Sequence, residues 1–116
     1  MALGKGGLNG MTVQESNNAG LGQGGSMFID DTVAHTPPTG QVFISITVIS
    51  SATFEATAVG LAAQDSSKFM STVNTGGGAS GNLIDASNVF PTGITIYGRW
   101  TSIDLAGGSI VAYLGS

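Results

Sequence analysis

The stretch of sequence that decides the fold is ITIYGRWTSIDLAGGSIVAYLG, residues 94–115. It contains the single Trp, the single Arg and both Tyr residues of the chain, and aromatic and β-branched residues of this kind favour strands. The pattern predicts two strands joined by a glycine turn at residues 106–108. We expect both strands to be built into the sheet and to anchor the fold.

Apolar residues change sides within the first of these two strands. Ile94, Ile96 and Trp100 share one parity, whereas Ile103 and Leu105 take the other. Because successive strand residues point to opposite faces, this change predicts a bulge or bend at the Thr-Ser pair that follows Trp100. Bends of this kind are common where a strand passes from one sheet of a sandwich to the other.

Tyr97 and Arg99 are the best candidates for recognition in this strand. They take the parity opposite to Trp100, so we expect Trp100 in the core and the other two side chains on an outer face. Arg99 has two interpretations of equal weight. It either pairs with Asp104 or a carboxylate on a neighbouring strand, or contacts another subunit together with Tyr97.

The clearest strand elsewhere covers residues 41–50. Val42, Ile44, Ile46 and Val48 are predicted to point to one face, and Ser45 and Thr47 to the other. Residues 52–60 are predicted to form a hairpin with it. Further short strands are predicted at residues 27–34, 68–73 and 82–86, with turns between them. Short strands at this spacing predict an all-β fold, a small β-sandwich or jelly-roll-like barrel over residues 27–116.

The composition points to an assembly component. The chain has 116 residues, enough for one domain, with 41% apolar residues and only 9% charged ones, against about 25% charged residues in typical domains. So few charges would do little to keep neighbouring copies apart. We therefore expect much of the surface to be covered by partners or by other copies of the chain.

Residues 1–26 differ from the rest of the chain. They hold eight of the 19 glycines and no aromatic residue, so ordering them carries a high entropic cost. We interpret this segment as an N-terminal arm that orders on a partner, with residues 11–15 adding a strand to a neighbour's sheet. The alternative is an ordinary disordered terminus. The apolar side chains expected to contact the partner are Leu3, Leu8, Met11 and Val13.

Several functions are not expected from this sequence. A net charge of −4 with three basic residues provides no patch for nucleic acid, and neither a signal peptide nor a membrane span is visible. The GLGQGG run at residues 20–25 lacks the strand and helix that dinucleotide binding requires. A catalytic His35 with Asp30 or Asp31 lacks a nucleophile motif. We expect no enzyme activity, no cofactor and no metal.

Residues 97–113, YGRWTSIDLAGGSIVAY, resemble the C-terminal ending of small virion proteins of tailed bacteriophages, particularly marine and cyanobacterial ones. The resemblance implies a capsid decoration (cement) protein made in the host cytoplasm and located in the virion. Such proteins sit as trimers on the outside of the capsid and clamp adjacent major capsid protein subunits. The alternatives are a tail, neck or head-fibre component, or a carbohydrate-binding β module that uses Trp100 or Tyr97 as a stacking platform.

Overall fold

Five antiparallel strands form one sheet in the computed structural model, which describes residues 24–77 and 80–116. The order across the sheet is β1-β5-β2-β4-β3. The described residues contain no helix, so the all-β prediction is confirmed. The strands are β1 (Ser26–Ile29), β2 (Val42–Phe54), β3 (Leu61–Ala63), β4 (Thr95–Ile103) and β5 (Leu105–Gly115).

The central strand is β2, which pairs with β4 on one side and β5 on the other. Ile46 and Val48 point into the core and are fully buried, as the alternation predicted. A register shift between Phe43 and Ser45 breaks this alternation. Phe43 is consequently buried, whereas Ile44, predicted to share a face with Ile46, lies outside the core against Gly115.

The register requires β2 to bend strongly. Its start, Phe43, pairs with Trp100, and its end, Phe54, pairs with Leu105. The chain from Trp100 to Leu105 spans at most about 18 Å, and each cross-strand pair adds about 5 Å. A straight β2 would separate Phe43 from Phe54 by about 36 Å. The sheet is therefore folded over, and the register shifts between Val48 and Phe54 lie at the bend.

The strand change between β4 and β5 takes place at Asp104, and not at the predicted glycine turn. β4 and β5 lie on opposite sides of β2, and only Asp104 separates them. Gly107 and Gly108 lie inside β5, where Gly108 has a φ of 85° and its Cα packs against the β2 backbone at Ser51. Glycine at this position thus allows β5 to approach β2 closely where the register is irregular, because any side chain at Gly108 would meet backbone atoms.

Other strand predictions are corrected in the same way. β2 continues through residue 52, so the hairpin predicted over residues 52–60 is wrong. Residues 55–60 form a loop, in which Gly60 approaches the Glu55 carbonyl too closely for any side chain. β1 is shorter than predicted, and residues 68–73 and 82–86 contain no strand. The predicted bulge after Trp100 is confirmed, because the β3–β4 register shifts there.

The core lies on the inner face of the folded sheet. Trp100, Phe43 and Phe54 are its largest fully buried side chains. The connection between β3 and β4 covers this face with Ile84 and Phe90, and Phe90 packs edge to face on Phe54 with ring centroids 5.3 Å apart. The described strands belong to a single sheet, so a sandwich or jelly-roll arrangement stays a prediction. Ser26, assigned to the arm, belongs to β1.

Candidate functional site

The candidate site is the outer face of the sheet, which turns away from the core. Two rows of paired side chains cross it from β1 to β4. Neither row contains a charged residue, and the only charged residue in the five strands is Arg99. The first row is Phe28, Val111, Thr47 and Thr95, and the second is Ser26, Tyr113, Ser45 and Tyr97.

Exposure on the outer face is greatest at its two sides. Phe28 on β1 is 60% exposed and Tyr97 on β4 is 70% exposed. In the middle, Ser45 is buried between Tyr113 and Tyr97, its neighbours on the two flanking strands. The predicted outward position of Tyr97 is confirmed. The contribution of Phe28 was missed, since a single exposed Phe in a short strand carries no sequence signal of its own.

Arg99 lies beside this face and is held within its own subunit. Its Nε donates to Gln64 Oε1 at 2.7 Å, and its Nη2 donates to the Ser116 carbonyl at 2.8 Å. The backbone amide of Gln64 in turn donates to the backbone carbonyl of Arg99. The predicted pairing with Asp104 is wrong, because the Arg99 side chain instead joins Gln64, just beyond β3, to the main-chain oxygen of Ser116, just beyond β5. The interface role predicted for Arg99 stays a prediction.

Trp100 is fully buried, as predicted. Its indole Nε1 donates to the Met70 carbonyl at 2.9 Å, which satisfies the one polar group of a buried indole. The ring also covers Gly98, where a Cβ would lie 2.7 Å from Trp100 Cζ2. Trp100 therefore offers no stacking platform to a sugar, and Tyr97 is left as the candidate for that interaction.

The predicted arm contacts Leu3, Leu8, Met11 and Val13 lie outside the described residues. The described chain begins at Gly24, directly before β1. Gly24 accepts a hydrogen bond from Gln41, and the Gly25 carbonyl accepts one from Leu114. These bonds attach the start of the described chain to the sheet beside β1, the strand that carries Phe28.

All described Asp and Glu residues lie outside the five strands. Two of them organise tight turns that the sequence analysis missed. Asp65 accepts hydrogen bonds from the Ser67 amide and hydroxyl, and Asp85 accepts the same pair from Ser87. These hydrogen bonds lower the pKa of both carboxyls. The repeated Asp-x-Ser spacing is the signal that would have found these turns.

His35 and Asp31 are in contact, which is one of the two His-Asp pairs that a catalytic His35 could have used. His35 Nε2 lies 2.8 Å from Asp31 Oδ1, and this contact, with a smaller one from the Val33 amide, lowers the pKa of Asp31. No hydroxyl in the described part of the chain hydrogen-bonds to His35. The His35 backbone pairs with Ile103. This backbone pairing holds the loop after β1 against the end of β4, and the contact with Asp31 lies within that loop.

Buried hydroxyls close the edge of the sheet at β3. Thr72 Oγ1 donates to the Thr57 carbonyl at 2.6 Å and accepts from the Leu61 amide at 3.1 Å. The Ser71 hydroxyl accepts from the amides of Val73 and Asn74. The bond to Thr72 occupies the Leu61 amide, a backbone group that the edge strand β3 would otherwise present to another chain. One buried atom is left without a partner among the described residues, Asp104 Oδ1 at the β4–β5 junction.

Residues 24–77 and 80–116 contain no group of three His, Asp or Glu side chains that could hold a metal ion. Within the same residues no helix has the length and apolar character needed to cross a membrane. In comparisons with known proteins, no family model matches the chain, and no match was found among curated proteins or among solved structures.

Proposed function

We propose that this chain is a structural protein of a tailed-bacteriophage virion. In this proposal it is a capsid decoration protein that binds the outer surface of the major capsid protein lattice and stabilises the head. The observation that carries the proposal is the uncharged sheet, in which Arg99 is the single charged strand residue. A surface of this kind suits a protein covered on several sides by neighbours.

The resemblance of residues 97–113 to virion proteins adds a second, independent argument. In the structure these residues form most of β4 and β5, which flank the central strand and supply Trp100 to the core and Tyr97 to the outer face. This stretch therefore contributes both to the core of the domain and to its exposed outer face.

Three finer features belong to the proposal. The folded sheet and the connection that covers it constitute a small β-sandwich or jelly-roll-like barrel. The chain assembles as a homotrimer, since low charge favours association of identical copies. Residues 1–23 act as an arm that adds contacts to the capsid, with Leu3, Leu8, Met11 and Val13 filling shallow pockets on it.

Two alternatives would use the same features differently. A tail, neck or head-fibre component would dock the β domain on a ring or fibre, with the same uncharged surface buried there. A carbohydrate-binding module of the virion would use Tyr97, which is 70% exposed, as a stacking platform. Trp100 is not available for this role, because it is fully buried.

Binding to capsids tests the proposal directly. Expanded heads assembled from the major capsid protein of the same virus are mixed with the purified chain and sedimented, and the pellet is imaged by electron microscopy. We expect the chain to sediment with the heads and to add density to their outer surface. A chain that stays in the supernatant of heads but sediments with purified tails would replace the decoration role by the tail alternative.

A truncated chain lacking residues 2–23 separates the arm from the β domain. Because the described sheet begins at Ser26, we expect the melting temperature of the free domain to be nearly unchanged. Binding to heads should weaken by about tenfold, which corresponds to about 1.4 kcal/mol. A truncated chain that decorates heads as well as the full chain would show the arm to be idle. One that fails to fold would show it to be structural.

A further inference from the structure

We infer that the outer face of the sheet packs against the outer face of a second copy of this chain. The inference rests on the self-association in the proposed function. Because contact between two identical faces is a two-fold contact, it predicts a dimer as the unit of association in place of the homotrimer. Phe28 and Tyr97, the large side chains of the face that are most exposed, are its main contact residues. Tyr113, Val111 and Thr47 lie between them and form the middle of the contact.

The side chains of the outer face suit packing against another sheet. An antiparallel sheet that faces water on one side usually alternates apolar residues inside with polar residues outside. Here the outward positions of β1 and β5 are occupied by Phe28, Val111 and Tyr113 beside Ser26, with no charge among them. Aromatic enrichment together with depletion of charge characterises the buried centre of an interface.

The distribution of charge favours a second copy as the partner. The chain has a net charge of −4, and its described carboxylates lie in the loops, at residues 30, 31, 55, 65, 85 and 104. Contact through the loops would bring carboxylates of two copies together. Contact through the outer face keeps them apart and buries surfaces that match in their lack of charge. Two copies therefore meet with the least repulsion through this face.

The polar groups of the outer face do not favour a sugar ligand. Specific sugar sites combine an aromatic ring with free hydrogen-bonding groups, since a sugar presents many hydroxyls that must be satisfied. The Thr47 and Thr95 hydroxyls are 2.9 Å apart and bond to each other, and Ser45 is buried between the two tyrosines. Apart from the hydroxyls of Ser26, Tyr97 and Tyr113, the two rows present rings and methyl groups, which a second sheet can cover.

Sedimentation of full-length variants tests this contact. Phe28→Lys and Tyr97→Lys each place a charge at an exposed position of the outer face, so the fold should tolerate them. Leu83→Lys is the matched control, because Leu83 is also exposed but lies in the connection that covers the inner face. We expect a stable wild-type oligomer, an unchanged oligomer for Leu83→Lys, and a dissociation constant raised at least about tenfold by either outer-face variant, because each would bury an unpaired charge.

Several results would overturn the inference. One is a wild-type chain that is monomeric at high micromolar concentration. Another is a folded Tyr97→Lys variant that associates as the wild type does. A monomeric wild type that binds insoluble polysaccharide, with this binding lost in Tyr97→Lys, would assign the face to a sugar instead. The head-binding assay keeps the two proposals separable. A monomer that sediments with heads overturns the inference and the proposed self-association but leaves the decoration role, and an oligomer that does not bind heads overturns only the decoration role.

Discussion

The inner and outer faces of the sheet are made by the same strands, yet they meet different surroundings. On the inner face Phe43, Trp100 and Ile110 are fully buried under the connection between β3 and β4. On the outer face Phe28 and Tyr97 are largely exposed. The only charged side chain in the strands is that of Arg99, which lies beside the outer face and is hydrogen-bonded within its own subunit. Alternation along a strand therefore predicts which residues share a face. It does not predict which of the two faces is covered by the chain itself and which stays exposed.

The largest difference between the two faces should appear when one aromatic residue is removed from each. Trp100→Ala takes a fully buried indole and its hydrogen bond to the Met70 carbonyl out of the core. We expect it to lower the free energy of unfolding by about 3–5 kcal/mol, a large part of the total for a small domain. Urea unfolding followed by circular dichroism measures the change.

Tyr97→Ala is the counterpart on the outer face. Because Tyr97 is 70% exposed, its loss should change the unfolding free energy of the monomer by no more than about 0.5 kcal/mol. A Trp100→Ala protein as stable as the wild type would remove the distinction between a closed inner face and an open outer one.

A smaller difference is expected when a methyl group is added to each face. In Gly98→Ala the new Cβ would lie 2.7 Å from the buried Trp100 ring, and in Gly115→Ala it would lie 2.8 Å from Ile44 Cγ2. The rigid indole is enclosed by the core, so Gly98→Ala should cost about 1–3 kcal/mol. Ile44 lies outside the core and can change its rotamer, so Gly115→Ala should cost less. Thermal unfolding of both variants provides the comparison, and equal losses would contradict it.

Much of this two-faced arrangement follows from the sequence. The parity of Trp100 against Tyr97 placed one inside and the other outside, and the change of parity before Ile103 indicated the bulge that follows Trp100. These assignments succeeded because period two holds along each straight part of a strand. Arg99 was assigned an outward position, but its partners Gln64 and Ser116 come from distant parts of the chain and could not be predicted.

The errors lie where the backbone departs from that period. The bulge before Ser45 buries Phe43 and moves Ile44 out of the core, and nothing in an alternating apolar run marks the residue at which a bulge occurs. Gly107 and Gly108 fit a hairpin turn and a close strand contact equally well. Only the antiparallel pairing of β5 with β2 decides between the two, and that pairing is a long-range property of the fold.

The burial of Ile84 and Phe90 could not be predicted either. Both lie in a connection without strands, where no periodicity separates buried from exposed residues. The two Asp-x-Ser turns that shape this connection are local signals, but they specify a turn and not the surface on which it packs.

The smallest expected effect concerns the loop carboxyls and their contribution to the pH dependence of stability. Hydrogen bonds from the Ser67 hydroxyl and amide lower the pKa of Asp65, and those from Ser87 lower the pKa of Asp85. A carboxyl whose pKa is lower in the folded state stabilises that state above the usual aspartate range, near pH 4, and this contribution is lost as the pH falls below it. Since these carboxyls are solvent-exposed, the loss of stability should be small.

Ser67→Ala and Ser66→Ala provide a matched pair for this effect. Ser67→Ala removes the hydroxyl that hydrogen-bonds to Asp65 Oδ1, so the pKa of Asp65 should rise toward its usual value in an NMR titration. Ser66→Ala should leave the pKa of Asp65 unchanged, because Ser67 donates both hydrogen bonds that the Asp65 carboxylate accepts within the described residues. Self-association through the outer face should become stronger in acid, whereas the folded monomer becomes slightly less stable. Protonating the loop carboxylates reduces the repulsion between copies and leaves the two rows of the outer face unchanged. An oligomer that dissociates near pH 4 while the monomer stays folded would place carboxylates in the contact and contradict the assignment of the uncharged face.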